Sequence, residues 1–168
     1  MINILYPKLY VKSLFNIDLE MLKKRGIEGI LFDLDNTIIP RDQKFFSPDI
    51  ATWLSELKKH GFKLCIVSNN RRHQRVSFLA KSLEIPYIYK AGKPGRKAFR
   101  NAMQLLNTDT HTTAVIGDQV FTDVYGGNRA GLFTILVVPL PGKEFWGTTL
   151  FNRRLEKLVL SRIKKRLS

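Results

Sequence analysis

Ile30-Leu31-Phe32-Asp33-Leu34-Asp35-Asn36-Thr37 sets a short apolar run directly in front of two carboxylates one residue apart. Residues 29–33 show no polar alternation, as expected of a strand covered on both faces in a parallel sheet. Similar runs recur at 62–67, 87–89, 114–117 and 133–138. Helical patterns separate them. Ser47 and Pro48 read as cap and first helical residue, Ile50, Trp53, Leu54 and Leu57 form one apolar face, and Gly61 stops the helix. Val76, Leu79, Ala80 and Leu83 repeat the face before Pro86, and Phe99, Ala102, Met103 and Leu106 do so after Pro94. A short helix near 123–130 ends at Gly131, and a last one is expected over 151–167. This alternation predicts an α/β fold: a single doubly wound domain over residues 1–168, with a five-stranded, mainly parallel sheet and helices on both faces.

The composition supports a folded domain, since 44% of the 168 residues are hydrophobic and 25% charged. The longest apolar stretch, 132–138, is too short to span a membrane. Cys65 stands alone, which excludes a disulfide framework and a cysteine-built metal site, and fits a reducing compartment. Pro7, Lys8 and Lys12 interrupt the N-terminal stretch, so no secretory signal is read and a cytoplasmic location is expected. The net charge of +14 favours anionic partners. It is concentrated: residues 61–100 hold ten Lys and Arg against one Glu, and 151–168 hold seven against one.

In doubly wound sheets, ligands bind outside the carboxyl ends of the strands. Here that edge receives Asp33, Asp35, Asn36 and Thr37 after the first run, and Ser68-Asn69-Asn70 after the second. Lys93 follows the third run, and Gly117-Asp118 with Asp123 the fourth. Four of the 14 acidic residues of a basic chain therefore converge. Carboxylates crowded in a partly dry site repel unless a cation intervenes, and oxygen ligands without His or Cys point to a hard cation, by default Mg²⁺. Residues i and i+2 of an extended strand point the same way, so Asp35 can share the site with Asp33. His60, His73 and His111 show no ligand spacing and read as structural or surface residues.

With these motifs, spanning residues 30–123, the chain resembles the haloacid dehalogenase-like (HAD) superfamily of aspartate-nucleophile phosphatases. Asp33-Leu34-Asp35-Asn36-Thr37, Ser68-Asn69-Asn70, Ala91-Gly92-Lys93-Pro94, the segment 117–129 and Asn152-Arg153-Arg154-Leu155-Glu156 are similar to its capless class III branch of YqeG type. That branch includes organellar phosphatidylglycerophosphate phosphatases. The resemblance implies a Rossmann-like HAD domain without a cap. It makes Asp33 the nucleophile, forming an aspartyl-phosphate, and Asp35 the general acid and then base. It assigns Mg²⁺ to Asp33, the Asp35 backbone carbonyl and Asp118, with Asp123 as ligand or orienter. Ser68 and Asn69 would hold phosphoryl oxygens, Thr37 the loop and phosphate, and Lys93 both Asp33 and the phosphate.

Simpler readings stand beside these. Asp123 also suits the start of the helix that follows it, and Gly126 and Gly127 suit close backbone packing. Arg71, Arg72, Arg75 and Arg96 sit either at the site's rim, holding a second phosphate or headgroup, or on a solvated helix face. The 35 residues from Asp33 to Ser68 and 25 from Ser68 to Lys93 leave no room for an inserted cap, so an open site serving a large phosphorylated substrate is expected. In the tail, Phe151, Leu155, Leu158 and Val159 form an apolar face with a basic outside. This is either a contact with an anionic membrane surface or an ordinary core-packing helix. Tyr6, Leu9, Tyr10, Leu14 and Phe15 either add to such a patch or cap the sheet. The expected activity is Mg²⁺-dependent phosphomonoester hydrolysis. The expected partner is a phosphorylated lipid headgroup at an anionic membrane, peripheral on its inner face. The alternatives are a nucleic-acid or phosphoprotein phosphatase and a non-catalytic phosphate-binding adaptor.

Overall fold

In the computed structural model, residues 2–141, 157–163 and 165 are described. The strands are β1 (Leu9–Val11), β2 (Gly29–Phe32), β3 (Lys63–Val67), β4 (Tyr87–Ile88), β5 (Thr113–Gly117) and β6 (Phe133–Val137). The helices are α1 (Leu19–Lys24), α2 (Pro48–Lys59), α3 (His73–Ser82), α4 (Arg96–Leu106) and α5 (Tyr125–Arg129). Every strand pair is parallel, in the order β1-β6-β5-β2-β3-β4. From β2 the chain winds outward through β3 and β4, then returns to β5 on the other side. The crevice between the ends of β2 and β5 is thus the switch point where such sheets bind ligands.

Side-chain alternation along the strands builds two cores. Ile30 and Phe32 of β2 join Leu64, Ile66 and Ile116 against Trp53, Leu54 and Leu57 of α2 and Val76 and Leu79 of α3. Leu31 points the other way, with Cys65, Val67 and Val115 against Phe99, Ala102 and Met103 of α4. Ser47 caps α2 as expected, its hydroxyl accepting from the Ile50 N–H at 3.3 Å. Only α2 lies between β2 and β3, and only α3 between β3 and β4, so no cap domain is inserted there.

The sheet has six strands rather than the five expected. The addition is β1, three half-buried residues too short to show as an apolar run. Its strand character comes from pairing with β6, Leu9 opposite Ile135 and Val11 opposite Val137. Lys8 N–H extends the ladder to the Thr134 carbonyl at 2.9 Å. Leu9 and Tyr10 therefore cover an open sheet edge. The short helix expected near 123–130 begins earlier, as a π-helical turn over Val120–Val124 that passes into α5.

Residues 157–163 are helical, and Val159 and Ile163 are buried against Val120, Val124 and Leu136. Val159 and Ile163 thus pack on the core, while Leu158 of the same expected apolar face is 58% exposed. Phe151 and Leu155, and the segment 152–156, lie outside the described residues. Among the described residues no helix is long and apolar enough to cross a membrane.

Candidate active site

Asp33 leaves the end of β2 with its N–H on the Ile116 carbonyl of β5 at 3.0 Å, which seats it at the switch point. Lys93, from the loop after β4, donates to Asp33 Oδ1 at 2.9 Å and to Asp123 Oδ1 at 2.7 Å. Asp118 follows β5, and its Oδ1 accepts from the Thr37 hydroxyl at 2.9 Å. Asp123 Oδ2 accepts from the Gln119 N–H at 3.2 Å, so the π-helical turn folds back onto its own start. All four charged side chains are buried, Asp123 most completely at 1% exposure.

One oxygen from each of Asp33, Asp118 and Asp123 lies within 4.8 Å of the others. Three carboxylates against one ammonium leave two negative charges, the amount a divalent cation supplies. The protonation equilibria register the excess. Burial, then the charges of Asp33 and Asp123, push the Asp118 carboxyl well above its ordinary value. Burial raises Asp123 to about 6, with Lys93 opposing. Burial works against the Lys93 ammonium, but Asp123 and Asp33 overcome it and hold it above the usual lysine range. An all-oxygen donor set with unbalanced negative charge fits a hard divalent cation.

The Asp35 carboxylate lies outside this group, on the wall of the cleft. Arg75 of α3 donates to its Oδ1 from Nε at 3.1 Å and Nη2 at 2.9 Å, and Asn70 Nδ2 donates to Oδ2 at 2.7 Å. Arg75 also holds the Pro40 and Gln43 carbonyls, so it is a fastener of the loop after β2 and not a rim guanidinium. Asn69 clamps the lysine loop, with Nδ2 on the Lys93 carbonyl at 3.0 Å and Oδ1 accepting from the Lys93 N–H at 2.8 Å. Ser68 Oγ accepts from the Asn70 N–H at 3.1 Å and fixes the turn.

An open cleft of about 740 Å³ lies over these residues, lined by Asp33, Asp35, Ser68, Asn69, Lys93, Arg71 and Arg72 among others. Thr37 is fully buried beneath the carboxylates and does not line the cleft, so its hydroxyl serves Asp118. Arg96 is exposed and is not among the residues that line the cleft. His60, His73 and His111 are exposed, and none belongs to the acidic group.

Sequence reasoning gave no role to Asn70, Arg41 or Gly117. Arg41 lines the cleft from the loop after β2. At Gly117 a Cβ would fall 2.2 Å from Asp123 Cγ, so the missing side chain is what admits the carboxylate. The signal for it was its place directly before Asp118. Gly126 packs as expected, a Cβ there meeting Phe99 at 2.9 Å and the Pro94 Cα at 3.0 Å.

A family model described as "Hydrolase: haloacid dehalogenase-like hydrolase" matches residues 39–131, over half of the chain. The chain belongs to the haloacid dehalogenase-like hydrolases. Within that family it is 44% identical over 160 residues to "Probable phosphatase YqeG" of Bacillus subtilis, covering 95% of this chain and 92% of the relative. It is 29% identical to "Phosphatidylglycerophosphate phosphatase 1, chloroplastic/mitochondrial" of Arabidopsis thaliana, over 93% of this chain but 47% of that longer protein. The fold is shared with the crystal structure of a HAD phosphatase from Thermococcus onnurineus. That match has a TM-score of 0.58 and 17% identity, over 72% of this chain and 90% of that one.

Proposed function

We propose that this hydrolase is a Mg²⁺-dependent phosphomonoesterase that converts phosphatidylglycerophosphate to phosphatidylglycerol at the surface of an anionic membrane. We place it in the cytoplasm, peripheral on the inner membrane face. The observation that carries the chemistry is Asp33 on the floor of an open cleft, with Lys93 on one oxygen and two further carboxylates beside it. Phosphate monoesters resist nucleophiles through their negative charge, so catalysis consists largely of neutralisation and alignment.

Asp33 attacks phosphorus. An acyl-phosphate bond forms as the ester P–O bond breaks, and the departing alkoxide takes a proton from Asp35. Asp35 then takes a proton from the water that attacks the aspartyl-phosphate, releasing inorganic phosphate and restoring Asp33. Lys93 supplies fixed positive charge to Asp33 and the phosphoryl group. Asp33 and Asp118 would hold Mg²⁺ with the Asp35 carbonyl, and Asp123 would orient Lys93 beside them. When bound, the cation neutralises phosphoryl oxygens and the surplus carboxylate charge. Support for the lipid comes from the open, capless cleft, its arginine lining and the name of the Arabidopsis relative.

The test is Mg²⁺-dependent phosphate release from phosphatidylglycerophosphate in anionic liposomes. Asp33→Asn is expected to abolish release while the fold persists. A fully active Asp33→Asn protein overturns the mechanism. Hydrolysis of an aryl phosphate alone removes the lipid from the proposal.

A further inference from the structure

The described part of the tail helix turns Val159 and Ile163 inward and leaves Leu158 exposed. Apolar surface is also left on the loops at the carboxyl edge of the sheet. Phe45 is 70% exposed in the loop between β2 and α2, which Arg75 pins through the Pro40 and Gln43 carbonyls. Phe121, 47% exposed, lines the cleft and stacks on Tyr125 with ring centroids 5.4 Å apart. Tyr89 directly follows β4 and leans on His73, the ring centroids 4.7 Å apart. Three exposed rings thus stand on the carboxyl edge of the sheet, each braced by a neighbour or a tied loop. Of the other exposed apolar side chains among the described residues, Phe78 of α3 packs edge-on against Phe45, the ring centroids 5.9 Å apart, while Ile4, Phe15, Leu105, Val138 and Leu158 belong to other segments.

The same edge carries positive charge. Arg41, Arg71 and Arg72 line the same cleft, and Asp42 is the one acidic residue of the 36–47 loop, against Arg41 and Lys44. Exposed aromatic rings and guanidinium groups on one edge of the sheet suit the interface of an anionic bilayer. The rings enter the headgroup layer there while arginines meet lipid phosphates. We infer that the rim of the cleft, lined by Phe121, Arg71 and Arg72, with Phe45 and Tyr89 on neighbouring loops as further wedges, docks on an anionic phospholipid bilayer. The inference rests on the lipid-phosphatase reading and deepens it: the cleft faces the membrane, so a headgroup phosphate reaches Asp33 without its lipid leaving the leaflet.

The experiment is co-sedimentation of the full chain with vesicles of phosphatidylcholine alone, or with a minority of phosphatidylglycerol, and with no substrate lipid present. A Phe45→Ser/Tyr89→Ser double variant is expected to lower partition into the anionic vesicles about tenfold. It should leave aryl phosphate hydrolysis in solution unchanged, which also reports that it has folded. A Lys157→Glu/Arg162→Glu variant on the tail helix is expected to bind within about threefold of the parent. Loss of binding in the tail variant with none in the rim variant overturns the inference. So does retention of the parent protein by nucleic acid and by neither vesicle. The two readings fail separately. Rim-dependent binding without turnover of phosphatidylglycerophosphate removes the lipid substrate and leaves the surface. Turnover in detergent micelles, with vesicle binding indifferent to the rim variant, removes the surface and leaves the substrate.

Discussion

Gly117→Ala is the smallest change expected to dismantle the site. The added methyl would lie 2.2 Å from Asp123 Cγ and Oδ2 and 2.5 Å from its Cβ. Ordinary contact requires the carboxylate to retreat by more than about 1 Å. Asp123 cannot swing into solvent, being 1% exposed, and its two oxygens are held at 2.7 Å by Lys93 and 3.2 Å by the Gln119 N–H. A retreat of that size breaks both bonds. Overpacking costs about 1–3 kcal/mol, and opening a buried ion pair about 3–5 kcal/mol. The two overlap, and Lys93 keeps Asp33, so about 3 kcal/mol is the expected loss. For a chain of this length that is a fall of about 6–12 °C in Tm. Thermal melts with and without Mg²⁺ read both consequences, since displacing Asp123 also disturbs the carboxylate group. Asp123→Asn is the comparator, because it removes the charge and keeps the shape. It is expected to melt closer to the parent while its response to Mg²⁺ weakens. A Gly117→Ala protein that melts within about 2 °C of the parent, with the parent's response to Mg²⁺, would refute the reasoning.

Two further outcomes follow from the same geometry. Asp118 lies well above its ordinary value and Asp123 at about 6, so the folded protein keeps protons that the unfolded chain has released. Metal-free stability therefore falls as pH rises from the ordinary carboxylate range through about 6, and a divalent cation replaces the protons above it. At a hundredfold excess over Kd, Mg²⁺ should add about 2.7 kcal/mol, or roughly 5–10 °C, at pH 7.5 and distinctly less at pH 5. Equal shifts at both pH values would contradict this. Arg75→Met leaves Asp33, Lys93 and the acidic group in place but frees the Asp35 carboxylate. Turnover of an alkyl phosphate, which needs a proton on its leaving oxygen, should drop about tenfold or more, and that of a nitrophenyl phosphate only a few-fold. Equal losses on the two substrates would show that Arg75 merely supports the fold.

Some of this protein is legible in one dimension. β2, β3, β5 and β6 are buried on both faces and so appear as continuous apolar runs, and Ser47-Pro48 announces α2. Asp33, Ser68, Lys93 and Asp118 are legible because each follows a strand at the edge where such sheets bind ligands. β1 is not, because three half-buried residues become a strand only when β6 offers an edge. Arg75 looked like its neighbours Arg71 and Arg72. Its partner Asp35 is 40 residues away, and no local pattern marks it.

The order of strands and helices from β2 to β6, the chemistry of the site residues and the basic excess were determined by the sequence alone, since hydrophobic period and residue type are local properties. Tertiary structure decided which donor meets which oxygen. Lys93 reaches Asp33 across 60 residues and Asp123 across 30, and Thr37 reaches Asp118 across 81. It also decided that Val159 and Ile163 face the core while Phe45 and Phe121 stay in water. An amphipathic face states only that something apolar must cover it, and which surface does so is set by packing between elements far apart in the chain.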